Sequence, residues 1–188
     1  MRVTGGRLGG RTLRAPRGDR TRPTTDRVRE SLFQILGDLD GRVVLDLFAG
    51  TGALGIEALS RGAARATLVE QDRSALAALR ENLEALDLGA RARVLALPVE
   101  RALARVAALG PYDLVLLDPP WVEAQRVLEW FSAKLSALAV APTAQVVLEH
   151  RARAELRVPA GSGLELFDER VWGDTAVSMF SVSTPGKG

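Results

Sequence analysis

Short apolar runs alternate along this chain with longer stretches in which apolar residues recur every three or four positions. The run Val43 to Leu47 is apolar except for Asp46, and it reads as a strand covered on both faces of a parallel sheet. Helical spacing predicts helices over 53–61, 73–87, 99–109 and 123–139. Runs of β-forming residues predict strands over 66–70, 92–97, 112–118 and 145–150. Strands separated by helical stretches of about ten to fifteen residues imply right-handed crossovers and a parallel sheet. Upstream, Pro23 and the cluster Thr24-Thr25-Asp26 supply a helix start, Val28, Leu32, Ile35 and Leu36 give it one apolar face, and Gly37 and Gly41 close it. The end of the chain differs. Leu164–Val171 and Ala176–Val182 are joined by Trp172-Gly173-Asp174-Thr175 with no helix between them, the signature of an antiparallel hairpin. The fold class is therefore α/β: a doubly wound, seven-stranded, mostly parallel Rossmann-like sheet with a terminal antiparallel hairpin. Residues 2–16 carry two Gly-Gly pairs and predict a small β-ribbon. It has too few apolar side chains to fold alone and must dock on the domain or on a partner.

Two of the predicted strands end in chemistry. After Leu47 the glycines Gly50, Gly52 and Gly55 fall in a G-x-G-x-x-G spacing and open a helix. Glycine is needed there because the chain turns sharply, passes close to a ligand, and then packs a helix tightly on the sheet. Glu70 follows Gly50 by 20 residues, at the end of the next strand, where a carboxylate accepts hydrogen bonds from ribose hydroxyls. A bare glycine fingerprint is often only a tight loop. Here the strand before it, the helix after it and the acid downstream point to a nucleoside cofactor. The predicted strand 112–118 ends in Asp118-Pro119-Pro120-Trp121. Ligands of doubly wound sheets sit at the carboxyl ends of strands, so Asp118 and the glycine turn are expected to open into one cleft. The prolines fix the backbone and lack N–H groups. A carboxylate, a rigid carbonyl and an aromatic ring side by side suit a flat base that presents an amino group.

Composition narrows the chemistry. Cysteine is absent and His150 is the lone histidine among 188 residues, which argues against thiolate or histidine metal sites and against a Ser-His-Asp triad. His150 is expected to be a buried or rim histidine. No apolar stretch is long enough to span a bilayer, and no signal-peptide core is evident, so the expectation is a soluble, cytoplasmic monomer that uses no metal. The net charge of +2 hides an asymmetry. Nine arginines against Asp19, Asp26 and Glu30 give residues 1–30 a charge of +6, leaving −4 for residues 31–188. A basic arm on a mildly acidic body suggests a polyanionic partner; the alternative is a solvated, disordered tail. Arginine also binds phosphate in a bidentate fork and stacks on bases.

The glycine turn and the Asp118 tetrapeptide resemble those of class I S-adenosylmethionine-dependent methyltransferases, and Asp-Pro-Pro-aromatic resembles the motif of amino methyltransferases acting on adenine N6 or guanine N2. More narrowly, Arg22-Pro-Thr-Thr-Asp-Arg-Val-Arg-Glu30, the stretch Asp46–Gly62 and Trp172-Gly-Asp-Thr-Ala176 are similar to the RsmD family, which methylates guanine N2 in 16S ribosomal RNA. The resemblance implies S-adenosyl-L-methionine as cofactor and 16S rRNA or the assembling small subunit as partner. It places Glu70 on the ribose and Asp46 with the Gly50–Gly52 backbone at the methionine end, and counts Phe48 among the cofactor-binding residues. Gln71 and Val99 border the adenine, and the Thr24–Arg27 segment closes over the methionine tail. It makes Asp118, Pro119, Pro120 and Trp121 the catalytic group. Arg7, Arg11, Arg14, Arg22 and Arg27 are expected to hold RNA. Two departures stand out. Trp121 replaces the more usual Phe or Tyr, which requires a wider pocket. Leu97-Pro98-Val99 lacks a polar side chain for the adenine amine, which leaves the backbone near Val99 to serve.

The expected organisation is an RNA-contacting arm over 1–21, a methyltransferase domain over 22–184 and a flexible tail over 185–188. The rivals are an adenine-N6 methyltransferase, an NAD-type oxidoreductase using the same glycines, and a non-enzymatic RNA-binding protein. The second has no proton-relay His or Tyr-Lys pair and leaves Asp118-Pro-Pro-Trp121 without a task.

Overall fold

The computed structural model describes residues 1–15 and 25–183. Seven strands lie in one sheet in the order β3-β2-β1-β4-β5-β7-β6. They are β1 (Val43–Asp46), β2 (Arg65–Glu70), β3 (Ala92–Ala96), β4 (Tyr112–Leu117), β5 (Val140–Arg151), β6 (Leu164–Trp172) and β7 (Thr175–Val182). The helices are α1 (Asp26–Leu36), α2 (Ala53–Ser60), α3 (Arg73–Ala85), α4 (Val99–Leu109) and α5 (Ala124–Lys134). The contacts divide the chain into two compact units, Met1–Ala102 and Leu103–Gly188.

In the first unit β1 runs parallel to β2, with Asp46 opposite Leu68, and β2 runs parallel to β3, with Glu70 opposite Ala96. Helix α2 packs on β1 and β2. Its sequence, ALGIEALS, is apolar nearly all round, and every residue from Leu54 to Ser60 is buried, as a helix with no polar face must be. Helix α1 begins at Thr25, whose hydroxyl accepts from Val28 N at 3.3 Å. Helix α3 begins at Asp72, whose carboxylate accepts from Ala75 N at 2.9 Å. Both are side-chain N-caps.

The arm over residues 1–15 is docked, not a solvated tail. Its ends pair at the bridge Arg2–Thr12, with Val3 N donating to Arg11 O at 2.9 Å, and a 3-10 turn at Gly6–Leu8 closes the loop. The expected ribbon is thus reduced to one bridge around a tight turn. Val3 and Leu13 are buried, and polar contacts do the rest. Thr4 N and Thr4 Oγ1 donate to the two oxygens of Glu57 at 2.7 and 2.8 Å, and Leu8 N donates to Ser60 Oγ at 2.9 Å.

In the second unit β4 and β5 are parallel, and β7 lies antiparallel to both β5 and β6. Tyr112, Leu114, Leu116, Leu148 and Phe180 are fully covered, as are Leu128 and Phe131 on α5. The β6–β7 turn is tighter than expected, because Trp172 and Thr175 still pair and only Gly173 and Asp174 are left to turn. The expected helix 123–139 is three pieces: a 3-10 turn at Trp121–Glu123, then α5, then a 3-10 turn at Leu135–Ala137. Strand β5 starts five residues before the expected 145, because Tyr112 already pairs with Val140 ahead of a register shift. Among the described residues, no helix is long and apolar enough to cross a membrane, and no cluster of side chains could hold a metal ion.

Candidate functional site

Asp46 is the last residue of β1 and is completely buried. Its Oδ2 accepts from Gly55 N at 3.0 Å. Its Oδ1 has no partner, the one such buried side-chain atom among the described residues. Burial pushes this carboxyl from 3.8 up to about 7, the nearby charge of Glu70 adds to the rise, and the backbone N–H of Gly55 and of Phe48 offset part of it. A buried acceptor left unmatched calls for a donor.

The turn above it is fixed on several sides. Ala49 N donates to Val69 O at 3.0 Å, Gly52 N to Ala49 O at 2.7 Å, and Gly50 N to Glu70 Oε2 at 2.8 Å. A side chain is disfavoured at two positions. A Cβ on Gly52, whose φ is +83°, would stand 2.3 Å from Leu79 Cδ1, and one on Gly55 would stand 2.5 Å from Leu68 Cδ2. The first packs the turn on α3 and the second packs α2 on the sheet.

Glu70 stands half-buried at the end of β2. Besides Gly50 N it accepts from Gln71 N and Asp72 N, both at 2.7 Å on Oε1. A carboxylate offers about four acceptor directions, so three backbone donors orient it and leave room for a hydroxyl. Gln71 is exposed, Phe48 is half-buried in the turn, and Val99 is buried at the start of α4. The first unit thus gathers Asp46, Phe48, Gly50, Gly52, Glu70 and Gln71 around one strand–turn–helix. These residues fit a nucleoside cofactor with a cationic end: an unmatched buried carboxylate oxygen, a turn kept free of side chains, and an oriented carboxylate at the next strand end.

In the second unit the tetrapeptide follows β4 directly. Asp118 and Trp121 are half-buried, Pro119 is buried and Pro120 is exposed. Trp121 begins the 3-10 turn that leads into α5, with Glu123 N donating to Pro120 O at 2.7 Å. Arg7, Arg11, Arg14 and Arg27 are exposed. Thr24 and Arg22, expected to touch cofactor and RNA, lie outside the described residues. His150 is buried; its Nε2 lies 2.8 Å from Ser178 Oγ, and burial holds its pKa below the usual value.

A family model described as Conserved hypothetical protein 95 matches residues 1–181. The chain belongs to this family. The Conserved hypothetical protein 95 match agrees with the resemblance to RsmD read from the three sequence motifs. Among named relatives, the Bacillus subtilis protein YlbH, described provisionally as an rRNA methyltransferase, is 37% identical over 96% of this chain and 98% of its own length. The Ribosomal RNA small subunit methyltransferase D of Escherichia coli K12 is 47% identical over 124 residues, which are 64% of this chain and 60% of that enzyme. Among solved structures, the Escherichia coli protein yhhF, described provisionally as a methyltransferase, superposes with a TM-score of 0.83 at 37% identity, covering 97% of this chain and 98% of its own.

Three polar residues in the first unit escaped the sequence reading. Arg29 and Glu57 are fully buried and meet at 3.4 Å. Arg29 also donates to Asp26 Oδ1 at 2.9 Å and to the carbonyl of Arg2. Arg61 donates to Glu57 Oε1 at 2.8 Å and lies over the Phe33 ring at 5.4 Å. Asn82 is buried on α3. The signal was available: each interrupts an apolar stripe, Arg29 among Val28, Leu32 and Phe33, Glu57 within ALGIEALS, and Asn82 among Ala75, Leu79 and Leu83.

Proposed function

We infer that this chain is an S-adenosylmethionine-dependent methyltransferase of small-subunit (16S) ribosomal RNA that transfers a methyl group to the exocyclic N2 amine of a guanine. The observation that carries the reading is Asp118-Pro119-Pro120-Trp121 at the end of the buried strand Tyr112–Leu117, in a chain whose family includes relatives named as rRNA methyltransferases.

When bound, S-adenosylmethionine supplies an electrophilic methyl group on a sulfonium. The open Oδ1 of Asp46 is a natural acceptor for the cationic methionine end, and the Glu70 carboxylate for the ribose. A guanine exocyclic amine is a weak nucleophile because its lone pair is delocalised into the ring. Asp118 and the Pro119 carbonyl accept its two hydrogens, which favours the pyramidal, attacking form and stabilises the positive charge that grows on nitrogen. Trp121 stacks on the base, which must leave its helix to be reached. Position does most of the work, so no strong base is needed. The exposed Arg7, Arg11, Arg14 and Arg27 neutralise RNA phosphates.

The test is to incubate the protein with labelled cofactor and small-subunit particles from cells lacking it, and then to map the modified nucleotide. Label on guanine N2 supports the reading. Label on adenine N6 gives the amino-methyltransferase alternative, and no transfer to any RNA would overturn the proposal.

A further inference from the structure

Asn82 joins two stretches to which the proposed function gives different tasks. Its Oδ1 accepts from Arg14 N at 2.7 Å. Its Nδ2 donates to Arg14 O at 3.1 Å and to Thr51 O at 3.0 Å. The amide orientation is set by these partners, because the flipped group would turn its oxygen onto two carbonyls. One buried side chain therefore grips the arm backbone by both its N–H and its C=O, as a neighbouring strand would, and with its remaining hydrogen holds the carbonyl between Gly50 and Gly52.

A peptide unit is rigid. Holding the Thr51 carbonyl fixes the plane that carries Gly52 N–H, and that N–H closes the turn onto Ala49 O. On the other side, the exposed Arg14 guanidinium rests on Glu81 at 2.7 Å, next to Asn82 on α3. This surface pair is weak, and an RNA phosphate can replace Glu81 without moving the Arg14 backbone off Asn82.

We propose that Asn82 is a positioning residue that couples RNA on the arm to cofactor on the glycine turn. RNA bound at Arg14 steadies the docked arm and, through this carboxamide, the Thr51 peptide, so the second ligand meets a turn held more firmly in place. By linkage each ligand tightens the other by the same factor. The proposal rests on the methyltransferase reading, and the experiment separates the two.

Affinity for S-adenosylhomocysteine is measured by calorimetry with and without a small-subunit rRNA transcript, for the wild type and for Asn82→Asp. The substitution keeps the acceptor for Arg14 N and loses both donated bonds. In the wild type, RNA should tighten S-adenosylhomocysteine binding by about fivefold or more, the low end of site–site coupling. In Asn82→Asp each ligand should still bind alone, and the factor should fall to about one. Coupling that survives the substitution, or none in the wild type, overturns the role given to Asn82 while leaving the methyltransferase reading intact. A wild type that binds neither ligand defeats that reading, and the coupling with it. Hydrogen exchange on the wild type keeps the test decisive should the variant unfold: RNA without cofactor must raise protection of the Gly52 amide. Unchanged exchange there, with RNA bound, refutes the coupling.

Discussion

Above neutral pH, Asp46→Asn should make the protein more stable and a poorer cofactor binder, with a change in stability that depends on pH in a defined way. In the folded state the carboxyl is pushed up to about 7 from 3.8. The folded chain therefore keeps a proton that the unfolded chain has released. Stability present below about pH 4 is lost as pH rises, and the loss levels off above about pH 7. The gap between the two pKa values corresponds to about 4 kcal/mol at the alkaline limit. Asparagine does not titrate, and its Oδ1 can still accept from Gly55 N. Its amide leaves one buried group unmatched, which costs about 1–3 kcal/mol at every pH. The difference in unfolding free energy between variant and wild type should thus grow by about 4 kcal/mol between pH 4 and pH 8. With a urea m-value of about 2–3 kcal/mol/M for a domain of this size, the midpoint difference moves by about 1.3–2 M. Titrating groups other than Glu70, whose charge adds to the rise at Asp46, cancel in the comparison. Affinity for S-adenosylhomocysteine at pH 8 should fall about tenfold or more, the loss of one charge-assisted hydrogen bond. A stability difference that stays flat from pH 4 to pH 8 would refute the argument, since it would mean that Asp46 is ionised in the folded chain throughout.

Asp118→Ala should leave cofactor affinity near wild type and cut turnover about 10²-fold or more, which single-turnover methyl transfer to small-subunit particles would measure. Gly55→Ala drives a methyl group onto Leu68 and should cost about 1–3 kcal/mol in chemical denaturation. Arg7→Ala with Arg11→Ala should lower the slope of log affinity against log salt for rRNA by about 2 and leave the thermal midpoint unchanged. His150, held below its usual pKa by burial, should make the protein less stable as pH falls below 6.5, because the unfolded chain takes up the proton first. His150→Gln should flatten that part of the profile in urea titrations.

Much of this fold is legible because its periods are clean. The strands β1, β2 and β4 and the helices between them were marked by apolar runs and by glycine and acid punctuation, and the structure places them within a residue or two. Boundaries set by partners were harder to read. Strand β5 extends back through Pro142 to Val140, and the pairing with β4 skips to a new register between Tyr112 and Leu114. A proline without an N–H is tolerated where the ladder is already interrupted. Nothing in the local pattern announces that interruption. The candidate site divides the same way. Asp46, the glycines and Glu70 are close in sequence and fall around one turn. Asn82 reaches Arg14 across 68 residues and Thr51 across 31, and a single sequence carries no mark of such a pairing.

The arm poses the sharper physical question, because a segment with so few apolar residues should not fold. Beside the buried Val3 and Leu13 it is held by polar contacts, two of which converge on one buried carboxylate. Glu57 receives the Thr4 N–H and hydroxyl together with Arg29 and Arg61, so a group that would be costly to bury alone is matched on every side. The cost of burying Glu57 is offset only when the arm is in place, since Thr4 supplies two of its donors. An apolar contact tolerates sliding by a residue, whereas a carboxylate with four donors does not. The arrangement therefore fixes the register of the arm as well as its attachment. With the register fixed, Arg7, Arg11 and Arg14 stand at set places on the surface, and the Arg14 backbone is delivered to Asn82.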